Sequence, residues 1–127
     1  MASFKTWLVL LLISAAHALG VPEAMAGVKG NVTLGDAPFA GVEVEASSSS
    51  IGQFWETSTD SSGKYVLDAL PVGRYTVWAE ASGHGCIVIP NVLVKDGVRT
   101  MRNFHFAKGK RYPGCESLKP KKNGRTN

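Results

Sequence analysis

Residues 63–75 read GKYVLDALPVGRY and hold two near-copies ten residues apart, Gly63-Lys64-Tyr65 and Gly73-Arg74-Tyr75. Turn chemistry accounts for both. Asp60-Ser61-Ser62-Gly63 has the composition of a four-residue turn, in which Asp bonds the local backbone and Gly takes the positive φ that other residues resist. Tyr65 and Leu67 then enter a core from one face of a strand. Leu70-Pro71-Val72-Gly73 is predicted to be a second turn of the same type, with Tyr75, Val77 and Ala79 as the inward face of the next strand. In each triplet the glycine reverses the chain, the cation faces water and the tyrosine is buried. No ligand is needed to explain the repeat.

The same period extends in both directions. Val28, Val32 and Leu34 alternate with Lys29 and Thr33, and Gly35-Asp36-Ala37-Pro38 breaks the run. Val42, Val44 and Ala46 alternate with Glu43 and Glu45, the pattern of a half-buried strand. Ser47 to Ser50 is a polar loop, and Phe54 to Thr59 a third strand. Beyond Gly83 come Cys86 to Ile89, Val92 to Val94, a turn at Asp96-Gly97, and Val98 to Phe106. Pro90 is confined to an edge or a bulge, because it cannot donate to a ladder. No stretch of this region has a helical period. The expected fold is an all-β, seven-stranded antiparallel Greek-key β-sandwich.

The chain of 127 residues has room for one such domain. Its first part is set apart. Lys5 precedes a continuous apolar run, Trp7 to Ile13, and small residues follow. This is the order of a signal peptide, and the run is about half of the roughly 20 residues a spanning helix needs. Ala16-His17-Ala18 and Ala24-Met25-Ala26 both fit the cleavage rule, and the second is preferred because Val28 opens the first strand. The division is then a signal peptide at 1–26, a sandwich at 27–106 and a basic tail at 107–127. Residues 27–106 carry six Lys/Arg and eight Asp/Glu, whereas 107–127 carry seven Lys/Arg and one Glu. The basic character therefore belongs to the tail, which is expected to be disordered beyond Cys115. An exported chain with two cysteines, Cys86 and Cys115, invites one disulfide, the alternative being two free thiols. That bridge closes a loop of about 29 residues and is worth roughly 3–4 kcal/mol on the chain-entropy account.

The order Gly30-x-Val32, Pro38-x-x-Gly41-Val42-x-Val44, Thr59-Asp60-x-x-Gly63-x-Tyr65, Leu70-Pro71-x-Gly73-x-Tyr75-x-Val77 and Ala81-x-Gly83-His84 resembles the carboxypeptidase regulatory-like domain. The resemblance covers residues 28–106 and implies a prealbumin-like (transthyretin-like) sandwich of the CnaB-like kind, here as a stand-alone secreted member. It implies an accessory module with no catalytic residues to carry over. Such modules sit beside the catalytic domain of metallocarboxypeptidases, and related sandwiches bind carbohydrate.

The residues themselves point to no enzyme. A zinc peptidase needs His and Glu at close helical spacing with a further His, and His17, His84 and His105 are the only histidines, none with Glu three residues on. There is no Gly-x-Ser-x-Gly elbow, and the C-terminal Tyr-Arg-Gly-Ser signature of the hydroxyisourate hydrolases is missing. His84, Cys86, His105 and Cys115 are the residues from which a metal site would have to be built, but an oxidised Cys86 offers no thiolate. No metal and no cofactor are expected.

Alternation puts Arg74, Thr76, Trp78 and Glu80 on the outer face of their strand, and an outward Trp78 offers a surface for stacking a sugar ring, with Trp55 contributing from the third strand. The competing reading lays Trp78 flat beneath neighbours such as Met101 or Arg102. The tail from Lys108 to Arg125 is either a solvated extension or a charge-based contact for anionic surfaces; with Tyr112 as its one aromatic residue it does not suggest nucleic acid. The functional expectation is an exported, non-catalytic module, periplasmic or extracellular, without a membrane span after signal removal. It binds a polysaccharide or another cell-surface component around Trp78, Trp55, Arg74, Thr76 and Glu80. The alternative is a structural or accessory protein that packs against a secreted protein partner.

Overall fold

The structure, a computed structural model, describes residues 26–119. The signal-peptide expectation and the last residues of the tail lie outside it. The described chain forms nine strands: β1 (Gly27–Leu34), β2 (Ala37–Pro38), β3 (Glu43–Ser48), β4 (Gln53–Ser58), β5 (Lys64–Asp68), β6 (Gly73–Ala81), β7 (Gly85–Val94), β8 (Arg99–Met101) and β9 (Phe104–Phe106). They make two sheets. One is ordered β4-β3-β6-β7. In the other, β1 lies between β5 on one side and β8 and β9 on the other, with β2 at its end.

Alternation builds the core between the sheets. Val28 and Val32 from β1, Val44 and Ala46 from β3, Tyr65 and Leu67 from β5, and Tyr75, Val77 and Ala79 from β6 all point inward and are buried. Phe104 and Phe106 from β9 close it. Each buried tyrosine keeps a partner for its hydroxyl, as a buried polar atom must. Tyr65 donates to the Arg102 carbonyl and Tyr75 to the Pro71 carbonyl, both at 2.6 Å. Burial pushes both phenols above their ordinary pKa.

The first Gly-basic-Tyr triplet is the turn exit that the sequence indicates. The Asp60 carboxylate accepts from the backbone N–H groups of Ser62 and Lys64, each at 2.9 Å, and Gly63 has φ 76°. Those N–H bonds, led by that of Lys64, hold the Asp60 carboxyl below its usual range. The second triplet differs. Leu70-Pro71-Val72-Gly73 is not a turn of the same type but the crossing from one sheet to the other. Leu70 is buried in the core and its N–H donates to the Ala26 carbonyl. Gly73 has φ 153°, nearer to extended than to left-handed backbone, and the left-handed φ falls on Ala69, at 57°, before the crossing. Lys64 and Arg74 are exposed in both cases.

Two other expectations are met only in part. Nine strands stand where seven were predicted, because the short β2 pairs with β1 and the last predicted strand breaks into β8 and β9. The pairing is also not wholly antiparallel: β8 and β9 run parallel to β1. A turn at Asp96-Gly97 carries the chain from β7 in one sheet to β8 in the other, so the last strands arrive beside β1 in its own direction. Pro90 lies in β7, the edge of its sheet, at an irregularity. Tyr75 pairs with Val92 and Val77 with Ile89, so Thr76 faces both Pro90 and Asn91. Asn91 takes a left-handed φ of 58°, as bulges allow.

Candidate functional site

The face of the four-stranded sheet that turns away from the core carries the residues singled out for binding. Along β6 these are Arg74, Thr76, Trp78 and Glu80, as alternation requires. Across from them on β3 stand Ser47, Glu45 and Glu43, with Thr76 opposite Ser47, Trp78 opposite Glu45 and Glu80 opposite Glu43. On the other side, Trp78 pairs with Val88 and Glu80 with Cys86.

This face is not open. Trp78 is 0% exposed and belongs to a second apolar cluster, separate from the core, with Cys86, Cys115, Phe54 and Leu118. The cover is the chain's own tail. Cys86 and Cys115 are joined as a disulfide with their Cα atoms 5.5 Å apart. Just before Cys115 the tail bonds the start of β7 like an added strand. Tyr112 N–H donates to the His84 carbonyl and Cys86 N–H to the Pro113 carbonyl, both at 2.8 Å. Gly85 makes this approach possible, since a Cβ there would collide with the Tyr112 carbonyl. A 3₁₀ turn at Glu116–Leu118 then sets Leu118 against Trp78. Of the tail beyond Cys115, for which disorder was expected, the described part runs to Lys119.

The five candidate residues are not brought together as one platform. Trp78 is beneath the tail, and the residues above it are Phe54, the disulfide and Leu118 rather than Met101 or Arg102. Trp55 points the other way. It packs on the core, with its ring 5.6 Å from that of Tyr75, while its neighbour Phe54 takes the outer face. Arg74 and Thr76 line a polar hollow of about 220 Å³ with Ser47, Ser49, Tyr75 and Asn91. Glu80 lies at the opposite end of the face. Glu43, Glu45, Phe54, Leu118 and Lys119 are the outer-face residues that sequence reasoning passed over. The signals were there: Leu118 is an isolated aliphatic residue in a polar tail, and Glu43 and Glu45 share the face of Trp78 by the same alternation.

That acidic end is electrostatically uneven. Glu45 is 2% exposed, and burial raises its carboxyl above the usual range. The adjacent Trp78 indole and the Lys119 ammonium offset part of the shift, and Glu43 and Glu80 add to it. Lys119 Nζ lies 2.7 Å from Glu80 Oε1, and that pairing raises the lysine pKa. Among the described residues the histidines and cysteines form no common site. The cysteines are bridged, His84 packs edge-on against Phe39 with ring centres 5.3 Å apart, and His105 Nδ1 is 2.9 Å from Thr33 Oγ1 on β1.

The order of strands, the turn glycines and the buried tyrosines agree with an independent finding. The profile of the carboxypeptidase regulatory-like domain matches residues 27–107. The chain belongs to this family. The match ends just after β9, so the tail that covers Trp78 is an addition beyond the regulatory-like domain. No curated protein matches the chain. Among the described residues no helix is long and apolar enough to cross a membrane.

Proposed function

We propose that this regulatory-like domain is an exported, non-catalytic accessory module that packs against a secreted protein partner. The observation that carries this reading is the burial of Trp78. An aromatic residue must show its ring to stack a sugar, and here a disulfide-tied tail hides it. Among the described residues the outer face of the other sheet is left open. There a shallow groove of about 220 Å³ is lined by Lys29, Asn31, Lys64, Val66 and Met101, and the last two are 43% and 50% exposed. Apolar side chains rimmed by lysines suit a protein surface with acidic borders. The disulfide favours an oxidising compartment, periplasmic or extracellular. We count β2 as a bridge and β8 with β9 as one strand broken at Arg102-Asn103, which gives a seven-stranded Greek-key sandwich of the prealbumin-like kind.

A second reading keeps carbohydrate but moves it. The polar hollow at Arg74 and Thr76 has hydroxyl and amide groups from Ser47, Ser49 and Asn91 beside Tyr75, a lining suited to sugar hydroxyls. A photo-crosslinking side chain placed at Val66 or Met101 tests the first reading in the native host. One discrete protein adduct is expected, and it disappears in the Val66→Asp, Met101→Asp double variant. Failure to form any adduct, together with saturable and salt-resistant polysaccharide binding that Arg74→Ala removes, transfers the function to the hollow.

A further inference from the structure

Three carboxylates converge at the end of the outer face beside Trp78. Glu43 and Glu45 are two apart on β3, and Glu80 on β6 is the direct cross-strand partner of Glu43. One carboxylate oxygen from each lies within 4.8 Å of the other two. Like charges directly opposite on a sheet repel, so such a group needs a cation. Lys119 supplies one, and three carboxylates with one ammonium leave −3 + 1 = −2.

The single lysine does not satisfy the group. Glu45 is 2% exposed, and its Oε1 has no hydrogen-bond partner among the described residues. Glu80 Oε1 is shielded from water too, and the Lys119 ammonium, although close, does not meet hydrogen-bond geometry with it. The adjacent Trp78 indole N–H is buried and likewise makes no hydrogen bond among the described residues, so the Glu45 carboxylate sits beside two other carboxylates with its charge unmet, a situation that suits a cation. The spacing fits as well. Three oxygens spread evenly at about 2.4 Å from one calcium ion stand at most about 4.2 Å apart, so a trio within 4.8 Å of one another closes on an ion with small side-chain shifts. A hollow of about 330 Å³ lined by Glu43, Glu80, Ser82 and Lys119 adjoins two of the three carboxylates and leaves room for water ligands there. Magnesium demands a stricter octahedron and gives up water reluctantly, so an irregular trio of carboxylates favours calcium.

We propose that Glu43, Glu45 and Glu80 form a calcium-type divalent-cation site, and that Lys119 is its built-in competitor. Without the ion, the ammonium on the tail sits at the carboxylates; with the ion bound, it is displaced. The residues of the competitor and of the apolar cover are neighbours in the tail, Leu118 on Trp78 and Lys119 on Glu80, so the ion is read out at Trp78.

The test is calcium titration of the full chain, stripped with chelator, by calorimetry and by tryptophan fluorescence, with magnesium in parallel. One saturable calcium site is expected, preferred over magnesium by at least tenfold. Lys119→Ala is expected to tighten it severalfold, because a competing charge is removed. Glu80→Gln, the milder of the carboxylate changes because Glu80 keeps some contact with water, is expected to weaken it at least tenfold while thermal unfolding stays cooperative. Absence of saturable calcium binding at millimolar concentration in both the parent chain and Lys119→Ala overturns the proposal. Binding that is indifferent to both Lys119→Ala and Glu80→Gln overturns it too, since the ion then sits elsewhere.

Discussion

The two apolar clusters flank the same strand and are built in opposite ways. Tyr75, Val77 and Ala79 face inward from β6 into a core to which strands of both sheets contribute. Trp78 faces outward from between Val77 and Ala79 and is buried just as fully. The inner cluster is held by the hydrogen-bonded ladders of both sheets and the regular period of its strands. The outer one is held by a tail that returns from 29 residues beyond Cys86 and is tied by one covalent bond. Equal burial therefore conceals unequal robustness. The inner cluster is the fold, and the outer one is a cover that the fold supports.

The comparison breaks first at the inner cluster. Phe104 is 1% exposed and packs against Tyr65 with ring centres 6.0 Å apart. Phe104→Ala is expected to cost about 3–5 kcal/mol, by lost burial and the cavity left behind. Chemical denaturation should show one transition at lower denaturant in which Trp55 and Trp78 are exposed together. Independent exposure of the two tryptophans would deny the inner cluster its primacy.

Removal of the covalent tie comes next. Cys86→Ser with Cys115→Ser is expected to lower stability by roughly 3 kcal/mol, since the crosslink no longer restricts the unfolded chain. The larger change is local. In a chain whose single tryptophan is Trp78 (Trp7→Phe and Trp55→Phe), acrylamide should quench fluorescence freely once the cysteines are gone, while far-ultraviolet dichroism keeps its β character. Trp78 that stays protected without the bridge would mean that Phe54, Leu118 and the hydrogen bonds at Gly85 hold the tail alone.

What could be read from the sequence follows the same division. Alternation located the strands, assigned faces to β6 and buried Tyr65 and Tyr75, because a period of two is a local property of an extended chain. The cysteine pair was legible from its even count. What covers an outward face is not local. Period alone puts Trp78 outside the core and cannot say whether water or another segment meets it there. Trp55 was misplaced for a related reason. Phe54 and Trp55 are adjacent aromatics at the start of a strand, and alternation does not say which of two equally apolar neighbours turns inward. The pairing of Trp55 with Ala46 decides it, and that pairing depends on the register of β3 with β4. The parallel return of β8 and β9 beside β1 depends likewise on where a crossing loop delivers the chain.

The smallest effect is the sharpest probe of the cover. Leu118 is partly buried against the cluster of Trp78 and the disulfide and ends the 3₁₀ turn that begins just after Cys115. Leu118→Ala removes about half of a leucine's worth of burial, about 1 kcal/mol, and leaves the disulfide and the Gly85 hydrogen bonds in place. The denaturation midpoint should hardly move. Acrylamide quenching of Trp78 should nonetheless rise, and a glutamate-specific protease should cut after Glu116, within the 3₁₀ turn, faster than in the parent chain. The reason is that local opening and global unfolding are separate equilibria: a segment that docks by a few contacts opens without disturbing the ladders beneath it. If quenching and cleavage stay at parent values, the bridge by itself immobilises the tail, and Leu118 only fills the space that the bridge defines. If the midpoint instead falls as far as it does without the disulfide, the cover is part of the cooperative fold, and the distinction between the two faces of β6 is lost.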